Sequence, residues 1–94
     1  MRRLAKNNLL LTSLGGAIAK RRTELAMSQE DLAQKAEVHR TYVSDIERGV
    51  RNVSVLTLQR ISDALDIPLG ALLFFGDRGV RKAPPAKSLS KRKA

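Results

Sequence analysis

Residues 28 to 49 read Ser-Gln-Glu-Asp-Leu-Ala-Gln-Lys-Ala-Glu-Val-His-Arg-Thr-Tyr-Val-Ser-Asp-Ile-Glu-Arg-Gly. The spacing predicts two short helices joined by a tight turn. Leu32, Ala33 and Ala36 form one apolar stripe, Val38 follows in the turn, and Val43 and Ile46 form the second stripe. Stripes at helical spacing can pack on each other. What stays outward on the second helix is Arg40, Thr41, Ser44, Asp45 and Arg48. These are hydrogen-bonding side chains of a length that reaches base edges and phosphates, so the face suits a DNA duplex.

Helix signals continue on both sides. A first helix is expected over about Leu11 to Leu25, with Leu14, Ile18, Arg22 and Leu25 on one face. Ser28 is placed to cap the second helix, with Asp31 in capping-box position. The turn is Glu37-Val38-His39, and the third helix spans Arg40 to Arg48 and stops at Gly49, a good residue after a helix end. Ser54 caps a fourth helix that carries Val55, Leu58, Ile61 and Leu65 inward, and Pro68 starts a fifth that ends near Phe75. Gly76, Gly79, Pro84 and Pro85 read as breakers beyond it. No strand pattern or internal repeat is evident, so the expected fold class is all-α, with five helices.

Charge divides the 94 residues in the same places. Arg2, Arg3 and Lys6 give residues 1–6 a charge of +3, and seven basic residues against Asp77 give residues 76–94 a charge of +6. Between them eight basic and eight acidic residues cancel, which accounts for the net +9. The expected organisation is a basic arm (1–10), a neutral domain (11–75) and a basic, disordered tail (76–94). Basic arms attract any polyanion, so the helix pair carries the case for DNA. A small core with no cysteine to staple it favours dimerisation.

Several classes are set aside. The single histidine, His39, and the absence of cysteine leave no ordinary zinc site. No nucleophile–base pair, metal cluster or phosphate loop points to an enzyme. Tyr42, Phe74 and Phe75 are too few and scattered for a single-strand stacking platform. The first twenty residues have the outline of a weak export signal, but Asn7, Asn8, Gly15 and Gly16 interrupt it. No stretch approaches the roughly 20 apolar residues of a membrane span. A cytoplasmic location is expected.

Residues 14–73 resemble the helix-turn-helix domain of the phage repressor and Cro type, the XRE family. The matching pieces include Leu14-Gly15, Ile18, Arg22, Ser28-Gln29-Glu30, Leu32-Ala33, Ile46-Glu47-Arg48-Gly49, Arg51-Asn52, Ser54, Thr57-Leu58 and Ala64-Leu65. His39-Arg40-Thr41-Tyr42-Val43-Ser44, with Glu47-Arg48-Gly49 and Asn52-Val53-Ser54, is similar more narrowly to controller proteins of restriction–modification systems. The resemblance implies a five-helix lambda-repressor-like domain that binds double-stranded DNA as a homodimer, with no cofactor or small-molecule ligand. It also implies that Gln29 holds a phosphate, that Arg40, Thr41, Ser44 and Asp45 face the major groove, and that Arg22 and Glu47 form an inner ion pair. Ala26 and Glu37 depart from it, standing where glycine in a left-handed conformation is common. Arg21 replaces an apolar residue, which suggests a thinner core. His39 replaces a serine cap, so phosphate contact is expected of it instead.

Individual residues keep two readings. Arg40 can fork onto guanine or clamp phosphate. Thr41 suits a thymine methyl or a phosphate. Ser44 and Asp45 suit base edges, directly or through water, or Asp45 orients a neighbouring arginine. Tyr42 either packs on the second helix with its hydroxyl exposed or contacts phosphate. Arg48, Arg51 and Asn52 suit backbone contacts. Leu69, Leu72 and Leu73 have core spacing, but Phe74 and Phe75 follow at once and one face cannot hold them all. Leu56, Leu72, Phe74 and Phe75 are the expected dimer seam. The expected function is regulation of transcription from a pseudo-palindromic operator, within a restriction–modification operon. The alternative is an antitoxin whose main partner is a protein.

Overall fold

The computed structural model of the chain describes the backbone of residues 2–81, with side chains from Leu9 to Val80. Five helices follow in order: α1 (Arg2–Glu24), α2 (Gln29–Ala36), α3 (Arg40–Glu47), α4 (Val55–Ala64) and α5 (Leu69–Arg81). The helix-turn-helix pair is α2 and α3.

The middle helices begin where side chains satisfy their first free N–H groups. Ser28 Oγ accepts from the Asp31 N–H at 2.9 Å, and Asp31 Oδ2 accepts from the Ser28 N–H at 2.9 Å. The backbone bond, then the serine hydroxyl, holds the Asp31 carboxyl below its ordinary value. Ser54 Oγ accepts from the Thr57 N–H at 3.1 Å. His39 proves to be a working cap, its Nδ1 accepting from the Thr41 N–H at 3.2 Å. Gly49 ends α3 at φ 73°, while Ala26, Glu37 and Asp66 hold φ values of 58°, 59° and 55° at the other helix ends. Such non-glycine positions are strained by about 1 kcal/mol.

Packing covers that strain. Leu14 and Ile18 of α1, Leu32 and Ala36 of α2, Val43 and Ile46 of α3, Leu58 and Ile61 of α4, Leu65 and Leu72 are buried in one cluster. Each large side chain there stabilises by about 1.5–3 kcal/mol. Arg21 is not a hole in this core. Its Nε and Nη2 donate to the Leu65 and Asp66 carbonyls at 2.9 and 3.0 Å. Arg60 does the same for α2, donating to the Ala36 and Glu37 carbonyls at 3.3 and 2.9 Å. Both arginines close the negative end of a neighbouring helix.

Five expectations change. α1 begins at Arg2, so residues 2–10 continue the helix rather than form a separate arm. α5 runs through Gly76 and Gly79 to Arg81. These glycines are the contact surface of α5, which runs back along α1. A Cβ on Gly76 would stand 3.1 Å from Leu14 Cα, and one on Gly79 would meet Ser13 Oγ. Ser13 Oγ instead donates to the Gly76 carbonyl at 2.7 Å. Leu72 is 0% exposed and belongs to the core, so it cannot take part in a dimer seam. Val55, expected inward, is exposed at the first position of α4, and Leu25, expected on the face of Leu14 and Ile18, is exposed just beyond the end of α1. Residues 82–94, most of the expected tail, lie outside the described residues.

Helix α1 lies against the end of α3 with no room for a side chain at Gly15. A Cβ on Gly15 would meet the Ile46 carbonyl oxygen and stand 2.6 Å from that of Glu47, whereas one on Gly16 meets nothing within 4 Å. Backbone oxygens at a helix end cannot retreat. Gly15→Ala should therefore destabilise by about 1–3 kcal/mol, while Gly16→Ala should stabilise by about 0.5–1 kcal/mol. Denaturant unfolding of the two variants checks the contrast. A second expectation concerns acid. Because the folded Asp31 value is depressed, its contribution is present above the unfolded value, about 3.9, and is lost as pH falls through the folded one. Asp31→Asn should flatten the acid limb of a pH-dependent melting series below about pH 4.

Candidate nucleic-acid interface

The angle between α2 and α3 is fixed from beneath by three polar side chains. Arg22 of α1 donates through Nε and Nη2 to Glu47 Oε2 and Oε1 at 2.7 and 3.1 Å. Its Nη1 donates to the Met27 carbonyl at 2.8 Å. Gln29, first residue of α2, donates through Nε2 to Glu47 Oε1 at 2.8 Å. The ion-pair side chains are 14% and 7% exposed. The hydrogen bond to Glu47 raises the Arg22 pKa, against burial, which lowers it. Three elements thus meet at one carboxylate. Gln29 is not free for a phosphate with its whole amide, but an amide carries two N–H donors and one remains.

Above this joint α3 turns its polar side outward. Val43 and Ile46 are buried, while His39, Arg40, Thr41 and Arg48 are exposed and Ser44 is half-buried. Arg40 stands at the start of the helix beside an open cleft that it lines with Arg22, Ser28, Gln29 and Glu30. Its guanidinium has no partner among the described residues. Tyr42 packs against the core, and the Arg51 guanidinium lies over its ring, 4.7 Å from the centroid. Asp45 has two partners: Arg48 Nη2 at 2.6 Å and Arg51 Nη2 at 3.2 Å. Asn52 is exposed in the loop that follows. The residues expected to meet DNA therefore lie along α3, the start of α2 and the α3–α4 loop.

Of the two readings of Asp45, the structure shows the one in which it orients neighbouring arginines; the sequence reading missed the contact of Arg51 with Tyr42. Its only trace there is the arginine six residues after Asp45, across a helix end whose geometry Gly49 sets.

A family model described as Helix-turn-helix matches residues 18–72. The chain belongs to this XRE-type helix-turn-helix family. Among members of the family, it is 55% identical over 49 residues to control protein C.BamHI of Bacillus amyloliquefaciens, a match covering 52% of this chain and 60% of that one. It is 46% identical over 52 residues to control protein C.MunI of a Mycoplasma species, covering 55% and 70%. The chain thus spans about three fifths of the length of the first of these relatives. Among solved structures, the controller protein C.AhdI from Aeromonas hydrophila superposes with a TM-score of 0.65 at 39% identity, covering 66% of this chain and 94% of that one. The controller protein C.Esp1396I, solved as a tetramer on its natural 35 base-pair operator, gives 0.68 at 35% identity, covering 76% and 93%. The described helices include none long and apolar enough to cross a membrane.

Within this helix-turn-helix scaffold, the joint can be tested. Removing either Arg22 or Glu47 leaves a largely buried charge unpaired, at a cost of about 3–5 kcal/mol. The double replacement Arg22→Met with Glu47→Leu should cost less than either single change. A double-mutant cycle by denaturant unfolding measures the coupling, expected to exceed about 1 kcal/mol.

Proposed function

We propose that this chain is a non-catalytic, sequence-specific regulator that binds double-stranded operator DNA as a homodimer, and that it controls a restriction–modification operon. The observation that carries this is the outward face of α3, where Arg40 stands exposed and, among the described residues, unpaired at the start of the helix. The similarity to C.BamHI, C.MunI and the operator-bound C.Esp1396I supports it. The comparisons lend the antitoxin alternative no support.

Arg40 is the base reader in this proposal. Thr41 and Ser44 lie beside it, and Gln29, His39, Arg48, Arg51 and Asn52 suit the backbone. Phosphate contacts fix register, and base contacts specify. A twofold dimer places its two reading helices about 34 Å apart, one helical turn, so the operator is a pseudo-palindrome. For the seam, Leu56, Phe74 and Phe75 remain, at 71%, 53% and 52% exposed.

Two measurements test this reading. Arg40→Ala should cost about 1–3 kcal/mol per half-site and relax preference at one base pair. Binding to operators varied base pair by base pair checks it, and an equal loss on all of them would make Arg40 a phosphate clamp. Leu56→Arg or Phe74→Glu should shift sedimentation from dimer to monomer while the helix content at room temperature holds, because neither side chain is in the core.

A further inference from the structure

One acidic side chain sits badly with a phosphate-facing surface. A carboxylate on the outward side of α3 should repel DNA. Yet Asp45 is 19% exposed at the side chain and lies beneath two arginines that are 62% and 49% exposed. Its Oδ1 accepts from Arg48 Nη2 at 2.6 Å, and its Oδ2 from Arg51 Nη2 and Nε at 3.2 and 3.4 Å. Arg51 is held a second time by the Tyr42 ring, 4.7 Å away. The Asp45 carbonyl also accepts from the Val50 N–H at 3.1 Å, tying the last turn of α3 to the loop. The carboxylate is an inner anchor, and the two cations form the outer layer.

We propose that Asp45 is a positioning residue that sets selectivity for operator over other DNA, by tethering Arg48 and Arg51 in fixed directions. The proposal rests on the operator reading given above. An untethered arginine on its long stem can reach whichever phosphate is near, which strengthens binding to every duplex alike. With one edge committed to Asp45, each guanidinium offers its remaining N–H groups only where the helix end and the loop aim them. On the operator, the base contact of Arg40 selects the docked position at which phosphates fall where those N–H groups point. On other DNA they do not, and the arginines stay paired with a charge that offsets theirs. The carboxylate therefore weakens binding to unmatched DNA more than binding to the operator.

The test begins by letting the wild-type protein select a duplex from a randomised pool. Affinities for that duplex and for a scrambled one of equal composition are then measured across a salt series. Asp45→Asn keeps the shape and removes the charge. It should raise affinity for the scrambled duplex by about tenfold at low salt and steepen its salt slope by about one per protomer. Affinity for the selected duplex should change by less than about threefold, so the ratio falls. Asp45→Glu, which keeps the charge, should leave the scrambled-duplex affinity as in wild type. In a background of Arg48→Ala with Arg51→Ala, Asp45→Asn should no longer alter the ratio. Equal factors on both duplexes with an unchanged slope overturn the proposal, as does Asp45→Glu behaving like Asp45→Asn. A ratio that falls just as far without the arginines also overturns it, since Asp45 would then meet DNA itself. A wild-type protein that enriches no sequence overturns the operator reading, and this proposal with it.

Discussion

The bond network at the Glu47 carboxylate is the constraint that the rest of the structure depends on. A helix-turn-helix pair has only two short apolar stripes with which to fix its own angle, and α2 and α3 are eight residues each. Helices of that length are unstable alone. Glu47 gathers the guanidinium of Arg22 from α1 and the amide of Gln29 from α2 at the end of α3. Directional bonds in a place largely shielded from water set an angle more sharply than apolar contact, which tolerates sliding. Gly15 belongs to the same joint, since the approach of α1 to the Ile46 and Glu47 carbonyls brings Arg22 within reach of Glu47.

Arginine is used in two distinct ways in this domain. Arg21, Arg22 and Arg60 are spent internally, on helix ends and on Glu47. Arg40, Arg48 and Arg51 face solvent on the α3 side. A planar guanidinium with five donors suits both uses, bridging two carbonyls or presenting its N–H groups on an exposed face. Net charge hides the division, because residues 7–75 sum to zero.

What the sequence made legible was what local chemistry decides. Ser28, Asp31, Ser54 and Gly49 mark helix ends through neighbours three residues away, and the α2–α3 stripes need no knowledge of the rest of the chain. The extent of α1 and α5 was not legible. Gly76 and Gly79 look like breakers in isolation, and only the closeness of α1 to α5 shows why they stand inside a helix. Leu72 and Phe74 could not be separated as core and surface, because α5 is apolar on more than one side. Arg21 and Arg60 bond carbonyls that are 44 and 23 residues distant, and nothing near them in sequence announces it. At the interface, residue types were readable, but the tether from Asp45 to Arg51 required the loop geometry.

The α1–α5 seam also has a bearing on how the chain reaches this state. The Ser13 to Gly76 bond joins residues 63 apart, whereas α2 and α3 are separated by a three-residue turn. Contacts that close so long a loop incur their entropy loss before they gain anything, so they form late in folding. The two glycines that let α5 lie against α1 are therefore read at the last step, by a surface that needs nearly flush backbones before any attraction sets in. Helices α2 and α3 are neighbours in sequence as well as in space, while the faces of α5 turned to solvent, Phe74 among them, acquire a fixed place only once the chain has closed on itself.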